Sequence, residues 1–205
     1  YSDHGDWAGD YGLVEKWSPG LDDTLTRIPF LGKIPGGAEN HVIKAQIQHF
    51  DLMPTILQLA QIEPKHSFFA RSLLPQLKGK SGEKERPIFV EGGYDRPHDK
   101  YCFEGEEGLP PSDSYYYPKM KLQQEQPEMT CRSTMIRTQD WKYIYRTKLS
   151  DELYNLKQDE MELNNICEDP DYTEKSRELK DKLLKWYVKT SDVTPWQKDP
   201  RGFSD

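Results

Sequence analysis

Cysteine is scarce, with three in 205 residues, widely spaced. That odd number builds no disulfide scaffold and no close zinc motif. No apolar run is long enough to span a membrane. An excess of positive charge is also lacking, since the formal net charge is −7. Phosphate backbones want clustered Lys and Arg, so a nucleic-acid partner is not expected. No signal peptide is visible, and periplasmic, extracellular and cytoplasmic locations all stay open. Composition leaves the oligomeric state unknown. A chain of this length can still bury a real core, as one domain or a domain plus a subdomain.

What is present is concentrated at the start. Residues 1–16 carry Asp3, His4 and Asp6, then glycines at 5, 9 and 12, and close on Lys16. Charged groups beside residues that permit tight turns suit an anion or metal site better than a core. Asp3 supplies a hard oxygen, which favours calcium or magnesium. His4 can be a second metal ligand, or a donor of a proton or hydrogen bond to a substrate oxygen. Lys16 is a compact cation able to reach a tetrahedral anion held at the metal.

The wider pattern resembles a family. Ser2-Asp3-His4-Gly5, Gly9-Asp10-Tyr11-Gly12, Lys16 and Thr26-Arg27-Ile28-Pro29-Phe30 are similar to the later half of the catalytic domain of type I sulfatases, in the alkaline phosphatase superfamily. The resemblance implies that Asp3 ligates calcium and that His4 sits at the metal and the sulfate oxygens. It implies too that Lys16 binds the sulfate. Tyr11 departs from the family, which commonly has histidine there. The implied fold class is α/β: the C-terminal part of an alkaline-phosphatase-like sulfatase fold, followed by a small antiparallel sheet with a packed helix.

The family nucleophile is a formylglycine made from Cys or Ser in a Cys/Ser-x-Pro/Ala-x-Arg sequence. No such sequence occurs in these residues, and Cys102, Cys131 and Cys167 all have the wrong successors. The chain also opens where a buried strand should be ending. The expectation is therefore a C-terminal piece of a longer sulfatase, inactive alone, with formylglycine in a missing N-terminal half that would be its partner. The substrate would be a small-molecule or carbohydrate sulfate ester. One rival is a phosphodiester or phosphonate monoester hydrolase of the same superfamily, using Mg2+ or Mn2+. The other is a stand-alone or degenerate non-catalytic binding domain.

Three parts are expected: residues 1–91 as catalytic α/β domain, 92–131 as a long loop, and 132–205 as antiparallel sheet, helix and tail. Trp17 reads equally as a pocket wall or a half-buried aromatic, and Asp22 and Asp23 read as solvated loop carboxylates. Arg27 to Leu31 and the alternating residues 42–49 read as strands. Asp51 then reads as the N-cap of a helix whose apolar stripe is Met53, Ile56, Leu57 and Ala60. Segment 87–91 is short and β-rich. From 92 to 129 periodicity disappears, and a loop that long is functional or disordered. Tyr94, Arg96 and His98 are its substrate-facing candidates, with surface decoration as the bland alternative. In the last third, Arg137-Thr138-Gln139-Asp140-Trp141-Lys142-Tyr143-Ile144 and Glu152-Leu153-Tyr154-Asn155-Leu156 resemble the family's C-terminal subdomain. Short links argue an antiparallel meander there. Trp141, Tyr143 and Tyr145 should share one face of a strand, with Lys142, Ile144 and Arg146 on the other. Asp171 and Glu174 have the spacing of a capping box, opening a helix to about residue 188.

Overall fold

A computed structural model describes residues 1–17, 19–95 and 108–192. In chain order the elements are β1 (Trp7–Ala8), β2 (Val14–Glu15), α1 (Asp23–Thr26), α2 (Leu52–Ala60), α3 (Leu74–Leu77), β3 (Ile88–Gly92), α4 (Tyr117–Glu125), β4 (Ser133–Arg137), β5 (Trp141–Arg146), β6 (Glu152–Asn155) and α5 (Thr173–Thr190). Helices and antiparallel sheets mix in an α/β fold. The chain divides into two compact units, Tyr1–Leu31 with Phe89–Lys180, and Gly32–Ile88 with Asp181–Asp205. Among the described residues no helix is long and apolar enough to cross a membrane.

The first unit is built on a four-stranded sheet ordered β3-β4-β5-β6, in which β4/β5 and β5/β6 run antiparallel. Period-two alternation on β5 separates two kinds of partner. Lys175 stands over the Trp141 ring at 5.7 Å and Lys180 over Tyr145 at 4.9 Å, so that face meets the first half of α5. On the other face Ile144 joins Leu21, Met135 and Tyr154 in a buried cluster. Beside it Trp7, Trp17 and Leu25 form a second cluster, against which Leu13, Leu122 and Met129 pack.

Several expectations change. Residues 27–31 and 42–49 are not strands. Leu31 is 91 % and Val42 80 % exposed, and Ile43, Ala45 and Ile47 are only half-buried, with no partner strand beside them. Residues 92–129 are not all loop, because α4 forms within them. Its fully buried residues are Lys119 and Gln123, with Leu122 the apolar side chain beside them, so it shows no apolar stripe. The helix ending at Thr190 starts at Thr173, after a one-turn 3-10 segment capped by Asp169 and not by Asp171.

In the second unit Asp51 holds the N-cap position of α2, as expected, but its side chain caps no amide of that helix. Gln48 and Asp51 cap a preceding 3-10 turn reciprocally. The Asp51 carboxylate is fully buried and takes both guanidinium nitrogens of Arg86, at 2.6 and 2.8 Å. Thr55 and the amide of Arg71 bind the same residue. The expected apolar stripe of α2 is largely uncovered, with Met53 46 % and Ile56 61 % exposed.

Candidate functional site

The Asp3–His4 turn is placed by close backbone approach. The amide of Gly5 donates to Leu25 O at 2.8 Å, and a Cβ at position 5 would lie 1.9 Å from Thr24 O. Only glycine fits there, so the acidic turn is locked against α1. Ser2 Oγ donates to His4 O at 2.6 Å. The ring of His4 lies between two carboxylates: Nε2 is 3.6 Å from Asp3 Oδ2 and Nδ1 is 3.7 Å from Asp6 Oδ1. Nδ1 is also 2.8 Å from Gly5 O. A carbonyl only accepts, so Nδ1 donates its hydrogen in this contact and Nε2 is the ring nitrogen left to meet a metal or an anion.

Asp3 is fully exposed and its carboxyl is held below the usual range. Its own backbone amide contributes most, followed by the amide of His4 and the His4 charge. It stays ionised at neutral pH, as a hard oxygen donor must. Calcium takes six to eight oxygens, whereas the turn offers one carboxylate and an imidazole. Among the described residues no group of three or more His, Cys, Asp or Glu is arranged to hold a metal ion. The turn fits a cation as a contributor of ligands and not as a complete cage.

Lys16 follows a hairpin. β1 and β2 pair antiparallel with Trp7 opposite Glu15 and Ala8 opposite Val14. The link between them uses positive φ at Gly9, Tyr11 and Gly12. The Lys16 side chain is exposed, and its carbonyl accepts from Lys119 Nζ at 3.1 Å. Tyr11, where the family commonly has histidine, turns its hydroxyl to Met161 O at 3.0 Å. Burial raises its pKa to about 12, helped by the Asp22 and Glu162 charges.

Asp22 and Asp23, expected to be solvated, are structural. Asp22 caps α1 through Leu25 N and accepts from Trp7 Nε1 at 3.1 Å. Asp23 receives Arg137 through Nε at 2.9 Å and Nη2 at 2.8 Å. Lys142 lies 2.7 Å from Asp23 and 2.6 Å from Glu162, and also donates to Leu21 O at 3.0 Å. Burial alone would raise the Asp23 pKa, but the Arg137 hydrogen bond and the Lys142 charge outweigh it and hold it at about 2. Burial wins at Glu162, which is raised despite Lys142, with the Asp23 charge adding to the rise. The alternation on β5 contained the missed signal: it placed Lys142 beside Ile144, and a lysine facing the core must find carboxylates.

Trp17 is buried at 9 % exposure. It lines a cavity of about 210 Å³ with Trp7, Tyr11, Leu21, Arg146 and Tyr154. Tyr94 is placed elsewhere, its amide donating to Thr130 O at 2.8 Å and its carbonyl accepting from Arg132 N at 3.1 Å. Arg96 and His98 lie outside the described residues. Asp3, His4 and Asp6 are thus gathered at one turn, with Lys16 at the end of the neighbouring hairpin.

Known proteins match both parts of the first unit. The sulfatase family model covers residues 1–62. A model described as the C-terminal region of N-sulphoglucosamine sulphohydrolase covers residues 104–189. An uncharacterized sulfatase, YidJ, of Escherichia coli K12 is 27 % identical over 98 % of this chain and 35 % of its own length. The multifunctional alkaline phosphatase superfamily protein PehA of Trinickia caryophylli is 28 % identical over 99 % of this chain and 37 % of its own. The chain thus spans little more than a third of the length of these relatives. A solved structure of a protein in complex with its substrate D-glucosamine-2-N,6-O-disulfate superposes with a TM-score of 0.69. It is 23 % identical, covers 97 % of this chain and 35 % of that one, and supports the fold. Membership of the alkaline-phosphatase/sulfatase superfamily is well supported, because two models from that family lie in order along this one chain.

Proposed function

We propose that the protein is a sulfuric ester hydrolase that cleaves sulfate monoesters, with residues 1–16 forming one side of its sulfate site. The carrying observation is the Asp3–His4 turn: an ionised carboxylate beside an imidazole, at the start of the segment that matches the sulfatase model. Asp3 gives an oxygen to calcium. His4 offers Nε2 to the metal or to a sulfate oxygen, and the Lys16 ammonium neutralises a second sulfate oxygen. Both cations act where charge moves onto the oxygens as the ester bond breaks, which preorganised partners stabilise without reorganisation. Calcium, when bound, polarises the sulfate, and formylglycine supplies the nucleophile. The nucleophile and remaining ligands come from residues outside this sequence, since the 205 residues hold no Cys/Ser-x-Pro/Ala-x-Arg sequence.

A carbohydrate sulfate is the favoured substrate class, with aryl sulfates second. The model matching residues 104–189 is named for an enzyme of a sulfated sugar. Tyr94, Arg96 and His98 would face the leaving group, tyrosine offering a flat surface to a sugar ring. Residues 1–91 form the catalytic part in this reading, 92–131 the pocket wall and 132–205 the supporting sheet and helix. One rival stays, a phosphodiester or phosphonate monoester hydrolase of the same superfamily using Mg2+ or Mn2+, since PehA is described as a multifunctional member of that superfamily.

The test is product release by the protein expressed from its whole gene. Sulfate should appear from a 6-sulfated glucosamine and from an aryl sulfate, and a calcium chelator should abolish it. Faster turnover of a phosphodiester than of either sulfate would favour the rival. These 205 residues alone should release no sulfate; turnover by a clean preparation of them would overturn the external nucleophile.

A further inference from the structure

Helix α4 carries a lysine into the interior. The Lys119 side chain is 1 % exposed, and its Nζ lies 3.1 Å from Glu15 Oε2 and 3.1 Å from Lys16 O. Burying an ammonium is costly unless it is paired and hydrogen-bonded. The two residues that meet it here are the last of β2 and the lysine that follows. The helix is seated by Leu122, which packs against the Trp7, Trp17 and Leu25 cluster. Met129, just beyond the helix, packs on the same cluster.

The backbone at this point is strained. Glu15 has φ +66, a left-handed conformation in a residue with a Cβ. Such a conformation is unfavourable for a side chain with a Cβ and persists where the surroundings over-determine it. Lys119 grips both sides of that residue, its carboxylate and the next carbonyl. An apolar residue would fill the same volume in α4 without holding either group.

We infer that Lys119 is a positioning residue for Lys16: its buried ammonium fixes the left-handed turn at Glu15 from which Lys16 projects. This rests on the reading that Lys16 meets a sulfate oxygen. It gives α4 a role at the anion site through the Glu15 carboxylate and the Lys16 carbonyl.

The experiment is a double-mutant cycle in the protein expressed from its whole gene, read by calorimetric binding of inorganic sulfate, KM against kcat, and melting temperature. Lys16→Ala should weaken sulfate binding about tenfold, and Lys119→Met should weaken it by a similar factor, since misplacing a group by about 1 Å is costly. The double variant should be no worse than Lys16→Ala alone, because the two changes remove one interaction. Losses that multiply, or a lowered melting temperature with sulfate affinity intact, would overturn the inference and leave the sulfate site standing. If Lys119→Met does not fold, Glu15→Gln takes its place, and unchanged sulfate binding in that variant would overturn the inference equally. Unchanged sulfate binding in Lys16→Ala would remove the reading of Lys16 itself, and the inference with it.

Discussion

Lys142 Nζ, near the start of β5, lies 2.7 Å from Asp23 Oδ1 at the start of α1. The lysine is fully buried and its second carboxylate, Glu162, is 4 % exposed. This pairing ties the segment that follows Lys16 to the sheet. Removing one member of a buried ion pair leaves an uncompensated charge and costs about 3–5 kcal/mol. Asp23→Ala removes the carboxylate that Lys142 and Arg137 share, leaving Lys142 with Glu162 and Arg137 without its carboxylate, and should lie in that range by urea unfolding. Lys142→Met leaves Asp23 with Arg137 and lets Glu162 protonate, so its loss should be about half as large. The reverse order would show that Glu162, and not Asp23, is the main partner.

The same network sets an acid limit. The folded pKa of Asp23 is about 2, below its ordinary 3.8. A depressed carboxylate stabilises the fold above the unfolded pKa, and that contribution is lost as pH falls through the folded value. Glu162 is raised, so it works in the opposite sense, its contribution fading as pH rises through its folded pKa. The melting temperature should therefore fall between about pH 4 and pH 2, and Asp23→Asn should flatten that fall. An equally steep fall in the variant would assign acid sensitivity to other groups.

Much of this arrangement was visible in the residue pattern, and its failures share a cause. The meander could be read because Trp141 to Arg146 alternates and its neighbours are strands of like length. Residues 42–49 alternate too, but alternation reports a capacity to pair and not the presence of a partner. Asp3, His4 and Lys16 stood out because charge beside glycine is easy to see. Asp23 and Lys119 did not, since the partners that bury them lie far along the chain, and for Lys142 the alternation on β5 marked the inward face without naming the carboxylates that meet it. Helix α4 was hidden for the same reason, its fully buried residues being polar.

Gly5 offers a sharper test of the acidic turn. A methyl group there would meet Thr24 O at 1.9 Å. Gly5→Ala should cost about 1–3 kcal/mol through forced backbone movement, visible as a lower melting temperature. Gly9, at φ +114 with open space around it, should tolerate alanine's bulk but not its backbone preference. Its loss should then be about 1 kcal/mol. Equal losses would show that steric approach is not what fixes the Asp3–His4 turn.

The second unit makes a different prediction. Met53, Ile56 and Leu59 recur on one face of α2, at 46 %, 61 % and 44 % exposure. Contiguous apolar surface of this kind marks an interaction face or an aggregation liability. Ile56→Lys in these 205 residues should lower binding of a hydrophobic dye and shift stability by no more than about 0.5 kcal/mol. A large destabilisation would mean that Ile56 is packed in solution.

The hairpin that ends in Lys16 also carries its own optical label. Trp7 and Trp17 are 6 % and 9 % exposed, with perpendicular rings whose centroids are 5.8 Å apart. Indoles so close and so fixed in angle couple their transitions, and that coupling vanishes once either ring turns. The near-ultraviolet circular dichroism lost in Trp7→Phe thus reports the seating of this hairpin, set apart from the other aromatic pairs.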